Sequence, residues 1–255
     1  MTNGDEVDAV RVAAVGDLHV TDRMRDRVRT ELTQLSEHAD ILFLAGDLTN
    51  AGLPSQADAL ADALSCLGLP IVAVLGNHDY DENAESQIRT LLSGVGVTVL
   101  DGTSTIVDVR DTRVGIAGTV GFDGGFGLDH RLWEAVSEGG PHRREHDEAR
   151  RFGKALTDLA AHGADFRIAL THFSPVLGTL AGEDDAIKAC LGNELLSFVI
   201  DDAGADLAVH GHAHHGTECG RTSGGIPVRN VARPVLDRPY AVYALTPLGI
   251  AGAES

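Results

Sequence analysis

Three apolar runs of strand length punctuate the first third of this chain: RVAAVGD (11–17), DILFLAGD (40–47) and PIVAVLGNHD (70–79). Each closes on a glycine followed by an acid or an amide. Between and after them stand segments with the period of an amphipathic helix. In RDRVRTELTQLSEH, Val28, Leu32 and Leu35 share one face. SQADALADALSCLG follows the second run, with Ser55 expected as its N-cap and Gly68 as its stop, and AESQIRTLLSGVG follows the third. Consecutive strands joined through helices run parallel in one sheet, so the alternation predicts right-handed crossovers.

From residue 97 the rhythm changes. VTVL, STIVDV and TRVGIAGT are short β runs linked by turn residues, which predicts a meander or a set of hairpins. Residues 118–146 are rich in glycine and carry Phe122, Phe126 and Trp133 without clear periodicity. A helix is expected from Glu145 to Ala161, then the strand FRIALTH, the helix NELLSFVIDDAG, the strand ADLAVHGH, and closing strands in GIPVRNVA and YAVYAL. There is no internal repeat, low-complexity tract or linker-like stretch. The expectation is one α/β domain over residues 1–255 with two packed sheets and a glycine-rich loop insertion at about 118–146.

Charge narrows the partners. A net charge of −18 and a pI of about 4.9 argue against long nucleic acid and anionic membranes. No apolar run approaches the roughly 18 residues of a membrane helix, and the acidic start MTNGDEVDAV is unlike a secretory signal, so a cytoplasmic protein is expected. Cys66, Cys190 and Cys219 are odd in number, distant and without CxxC spacing. They predict no disulfide framework or zinc knuckle, and Cys66 is expected as a small core residue among leucines.

The strand-length runs share a second property: several end in potential metal ligands. The first offers Asp17 and His19, the second Asp47, the third Asn77, His78 and Asp79. IALTH offers His172, and VHGHAHHG offers His212 and His214 among four histidines in six positions. Singly these are weak signals, since Gly-Asp after a strand is usually a turn and a lone histidine is usually a surface residue. Together they make two carboxylates, an amide oxygen and four imidazoles at the carboxyl ends of strands, where α/β sheets bind ligands. Spacing of two, as in Asp17/His19 and His212/His214, would place both side chains on one side of an extended segment. Mixed oxygen and imidazole donors suit Mn, Fe, Zn or Ni.

The ordered blocks Asp-x-His, Gly-Asp, Gly-Asn-His-Asp, a lone histidine and Gly-His-x-His, from Asp17 to His214, resemble the calcineurin-like metallophosphoesterase family. The resemblance implies a four-layer αββα sandwich of two mixed β-sheets flanked by helices. It implies two divalent metal ions: Asp17, His19 and His214 on one, Asn77, His172 and His212 on the other, and Asp47 bridging both. His78 would be a catalytic histidine that faces substrate without ligating, and Asp79 would orient it. Such a pair of ions can trap a hydroxide between them for in-line attack on phosphorus, with His78 as general acid.

Departures from the family's patterns refine the substrate. After Gly46-Asp47 the chain continues Leu-Thr-Asn, without the continuation of the Ser/Thr protein phosphatases, and is more similar to the small bacterial phosphodiesterase branch. A small phosphorylated substrate, a phosphodiester, is expected. The alternatives are a phosphomonoesterase and a non-catalytic scaffold of the same fold, and a nuclease fits poorly with the net charge. His210 is expected to pack in the core or support a ligand, and His215 to face the loop. The histidines at 38, 130, 142, 146 and 162 are expected at the surface. For the aromatic residues of 118–146 packing is the default over stacking on a base. Arg143 and Arg144 either meet a phosphate or solvate the helix, and exposed β edges offer a route to a homodimer.

Overall fold

The computed structural model describes residues 9–127, 143–247 and 249–252. Two six-stranded sheets pack face to face with helices on both outer sides. The first sheet has the order β12-β11-β1-β2-β3-β4, built on β1 (Val10–Val15), β2 (Ile41–Ala45), β3 (Ile71–Val74) and β4 (Val97–Val99), which run parallel. β11 (Ala241–Thr246) pairs antiparallel with β1, and β12 (Gly249–Ala251) with β11. The second sheet has the order β5-β6-β7-β8-β10-β9. Its parallel centre is β6 (Thr112–Thr119), β7 (Phe166–Thr171), β8 (Leu207–His210) and β10 (Pro227–Asn230), and β5 (Thr103–Val109) and β9 (Cys219–Arg221) close it antiparallel.

Alternation along each strand explains the layers. On β1, Val10, Val12 and Ala14 face the second sheet, while Ala13 and Val15 face the helices. On β2, Ile41 and Phe43 face inward between the sheets, and Leu42 and Leu44 outward. A strand apolar on both faces has to be covered on both, as the central strands of a parallel sheet are. The helices Arg25–Leu32, Pro54–Leu64 and Glu85–Gly94 cover the first sheet, and Arg143–Ala161 and Glu194–Ala203 the second. Phe43 is fully buried between the sheets, and truncating such a ring to alanine costs about 3–5 kcal/mol.

Several local expectations need correction. The second long helix begins at Pro54, with extended Leu53 as N-cap, because proline's fixed φ suits the first helical position; Ser55 lies inside. That helix ends at Leu64, well before Gly68, so Cys66 lies past its apolar face and is exposed rather than in the core. β4 belongs to no meander: the helix before it carries it across as the fourth parallel strand, and of the three runs read as a meander β5 and β6 alone pair as a hairpin. The helix expected from Glu145 already includes Arg143, the first described residue of this segment, and His146 is buried on its apolar face with Ala149, Phe152 and Leu156. β9 and β12 carry too few apolar residues to announce themselves. Trp133, His130 and His142 lie outside the described residues. Among the described residues no helix is long and apolar enough to cross a membrane.

Register brings the strand ends level. Val15 pairs with Leu44, and Ala45 with Val74, so Gly16-Asp17, Gly46-Asp47 and Gly76-Asn77 leave the first sheet at one edge. In the second sheet Leu170 pairs with Val209, which brings His172 and Gly211-His212 to the same end of the sandwich.

Candidate metal centre

The backbone at these strand ends is not extended. Asp17, His19, Asp47 and His212 adopt positive φ values of 57°, 43°, 48° and 70°. Spacing of two therefore does not act through strand alternation: left-handed turns aim these side chains back over the sheet edge. Such conformations cost about 1–3 kcal/mol each and persist where surrounding structure holds them. Here the loops are laced together, with Asp17 N donating to Gly46 O (2.9 Å), His19 N to Asp47 O (3.0 Å) and Val20 N to Leu48 O (3.0 Å). Two glycines are demanded by close approach. A Cβ on Gly211 would lie 2.4 Å from Asp17 Oδ2, and one on Gly76 would lie 2.2 Å from Asp47 N.

The side chains converge. Asp17 Oδ1 and His214 Nε2 are 2.9 Å apart, and Asp17 Oδ2 accepts from His212 N at 2.9 Å. The two oxygens of Asp47 serve different sides: Oδ1 lies 3.4 Å from His172 Nε2, and Oδ2 lies 3.7 Å from His19 Nε2. Asn77 Oδ1 is 3.0 Å from His172 Nε2. Asp17, His19 and His214 form one compact donor group and Asp47, His172 and His212 another. A third group, His19, Asp47 and His78, overlaps both.

These donors fit bound cations. His172 is buried, and its Nδ1 lies 2.9 Å from Ala45 O, a bond that needs the proton on Nδ1. With Nδ1 so engaged, Nε2 is the ring nitrogen that faces the oxygens of Asn77 and Asp47, and it is the atom through which His172 would share a cation with them. His19 Nε2 is buried with no hydrogen-bond partner among the described residues. Burial holds the His19 imidazole below its ordinary range and pushes His212 down to about 3, against the pull of nearby carboxylates. Both are thereby neutral and ligand-ready. Burial pushes the Asp47 carboxyl up, as expected for an anion that lacks its counter-charge. Burial acts likewise on Asp17, but the His214 hydrogen bond and neighbouring imidazoles outweigh it and hold that carboxyl low.

His78 stands beside the cluster, its ring edge-on to His19 at 4.9 Å and its Nε2 3.9 Å from Asp47 Oδ2. Asp79 does something other than orient that ring. It is fully buried and its carboxylate accepts from Leu48 N (3.1 Å), Thr49 N (2.8 Å), Thr49 Oγ1 (2.6 Å) and Gly76 N (2.9 Å), tying the loops after β2 and β3 together. The carboxylate beside the His78 ring is that of Asp81.

The His212–His214 turn has its own supports. His210 is buried, with Nδ1 2.7 Å from Gly211 O and Nε2 2.8 Å from Thr179 Oγ1. Asn230 Nδ2 donates to Ala213 O (2.8 Å), and His215, itself exposed, donates its N–H to Glu183 (2.7 Å). Thr179, Glu183 and Asn230 carried no signal in the sequence, being ordinary polar residues far from the turn they hold. Phe122 packs in the core under the Arg143–Ala161 helix, while Arg143 and Arg144 are exposed and Arg143 pairs with Asp147 at 3.5 Å.

Comparison with known proteins agrees with this geometry. The family described as calcineurin-like phosphoesterase matches residues 10–216. A Synechococcus protein named as a probable cyclic nucleotide phosphodiesterase is 28% identical over 183 residues, 71% of this chain and 60% of that protein. The chain thus spans less than two thirds of that relative's length. Phosphopantetheinyl hydrolase of Mycobacterium tuberculosis superposes with a TM-score of 0.62 at 15% identity, covering 94% of this chain and 96% of its own. GAP50, the anchor in the inner membrane complex of Plasmodium, does so at 0.61 and 15%, covering 95% and 82%. At such identities these two structures share a fold with this chain.

Proposed function

The chain belongs to the calcineurin-like phosphoesterase family, and from that premise we propose that it is a metal-dependent hydrolase of a small phosphodiester. The observation that carries this is the convergence of Asp17, His19, Asp47, Asn77, His172, His212 and His214 at one end of the sandwich, around a buried imidazole nitrogen, His19 Nε2, that has no hydrogen-bond partner among the described residues. Asp17, His19 and His214 would hold one divalent ion, Asn77, His172 and His212 the other, and Asp47 both. When bound, such a pair supplies Lewis-acid activation of water and neutralises phosphate oxygens.

The chain's own residues do the rest. Water forms the new bond to phosphorus as the bond to the leaving oxygen breaks. That oxygen keeps the electron pair and takes a proton from His78 Nε2, while the water's proton passes to solvent and restores the ring. His78 is half-exposed beside the cluster, accessible to a substrate and 3.9 Å from Asp47. Among the described residues, the loops that follow β1, β3 and β7 carry the acids Asp22, Asp81, Glu82, Asp184 and Asp185 and the cations Arg23 and Lys188. A monoester carries close to two negative charges at neutral pH and a diester one, so this rim favours the diester. The net charge of −18 likewise supports a small substrate rather than a long polyanion.

The test is hydrolysis of bis-p-nitrophenyl phosphate against p-nitrophenyl phosphate, after chelation and readdition of Mn²⁺. The diester should turn over only with metal, at a higher kcat/KM than the monoester, and His78→Ala should lose about 10²-fold or more. Faster monoester hydrolysis would favour a phosphomonoesterase. Stoichiometric metal binding without turnover of either ester would favour a scaffold.

A further inference from the structure

The His78 ring has two nitrogen edges, and the mechanism above uses one. His78 lies in the 3-10 turn Asn77–Tyr80, and Asp81 caps that turn. The Asp81 carboxylate returns alongside the imidazole, with Oδ2 3.3 Å from Nδ1. The Nε2 edge looks the other way, toward Asp47 Oδ2 at 3.9 Å and the edge of the His19 ring. The backbone fixes this arrangement. Asp81 N donates to His78 O at 3.3 Å. Gly52, from the loop after β2, packs so closely that a Cβ there would meet His78 O at 3.0 Å and Asp81 N at 3.1 Å.

This pair contributes little to stability. The side chains are 42% and 50% exposed, and water screens such contacts to a small fraction of their Coulomb energy. What a carboxylate at that edge can still do is choose the ring's orientation and tautomer. Turning the ring over would put carbon where Nδ1 now meets Asp81 and would displace Nε2 from the centre. An Nδ1–H facing Asp81 leaves Nε2 as the nitrogen presented to a substrate.

We propose that Asp81 is a positioning residue for His78, holding its Nδ1–H so that Nε2 is aimed at the leaving oxygen. The proposal rests on His78 as the proton donor of the reaction proposed above. In the transfer, the Nε2–H bond breaks and the leaving oxygen gains the proton, and the ring that remains is the Nδ1–H form that Asp81 favours. The sequence signal is slight: an acid three residues after His78 within the NHDYD turn.

The experiment compares wild type, Asp81→Asn and Asp81→Glu, all loaded with Mn²⁺, on bis-p-nitrophenyl phosphate and diphenyl phosphate. Nitrophenolate departs readily without a proton, whereas phenolate depends on one. Asp81→Asn should lose about tenfold in kcat on diphenyl phosphate and less than about threefold on the nitrophenyl ester, with KM and metal content unchanged. Asp81→Glu should recover most of the loss. In metal-free protein, ¹⁵N shifts of the His78 ring followed to their high-pH plateau should report the Nδ1–H form in wild type and a mixture in Asp81→Asn. Equal losses on both esters, no loss on either, or a ring tautomer unaffected by the substitution would overturn the proposal. Absence of turnover by wild type would instead remove the phosphoesterase reading, and the ring shifts would still decide whether Asp81 sets His78.

Discussion

Asp17 and His214 already share a proton-dependent contact at 2.9 Å, and that hydrogen bond is the main reason the His214 imidazole sits above its ordinary range. A cation bound by both must displace the proton that lower pH favours. Mn²⁺ affinity should therefore fall as pH drops below neutral, with net proton release on binding, which calorimetry in buffers of different ionisation enthalpy reads directly. His210 behaves oppositely, because burial pushes it down to about 4 from 6.5. Below pH 6.5 the unfolded chain takes up a proton that folded His210 refuses until about pH 4. This residue should therefore withdraw about 3 kcal/mol of stability from the metal-free protein as pH falls through that window. Urea midpoints of wild type and His210→Gln across that range would test it, the variant showing the shallower decline. At this scale the sequence was most legible for residues bound to a strand end. It was least legible for Thr179, Glu183 and Asn230, whose roles depend on where distant segments land.

Among the elements, the alternation of apolar runs and helical periods made the parallel strands β1, β2 and β3 readable, since each is long enough for its burial to be written in successive residues. β9 and β12 span Cys219–Arg221 and Gly249–Ala251 and pair through backbone at sheet edges, so side-chain pattern says little about them. β4 reads as part of a meander because a short strand carries no direction; the crossover before it does. The loops after β2 and β3 are joined by Asp79, whose carboxylate accepts hydrogen bonds from three backbone amides and one hydroxyl. Asp79→Ala would leave those donors buried and unsatisfied, so it should cost about 3 kcal/mol or more in urea unfolding of the metal-free protein. It should also weaken metal binding, because Asp47 and Asn77 leave from the two loops it ties. Asp79→Asn, which can accept only part of this set, should fall between. A small effect confined to turnover would instead return Asp79 to the role of orienting His78.

Across the whole molecule, the centre exists because two sheets present their strand ends to one side. Asp17 and His214 meet across 197 positions of sequence. Order and residue type named the participants, but the lacing of the loops and the left-handed backbone at Asp17, His19, Asp47 and His212 are not written in either. Bound cations would be the means by which a chain with a net charge of −18 holds a phosphate ester. The direct measurement is metal content and electron paramagnetic resonance of protein stripped by chelation and reconstituted with Mn²⁺. The account predicts two ions per chain as an exchange-coupled pair, with Asp47→Ala losing the coupling and at least one ion. A wild-type chain that holds one uncoupled ion, or none, would contradict it.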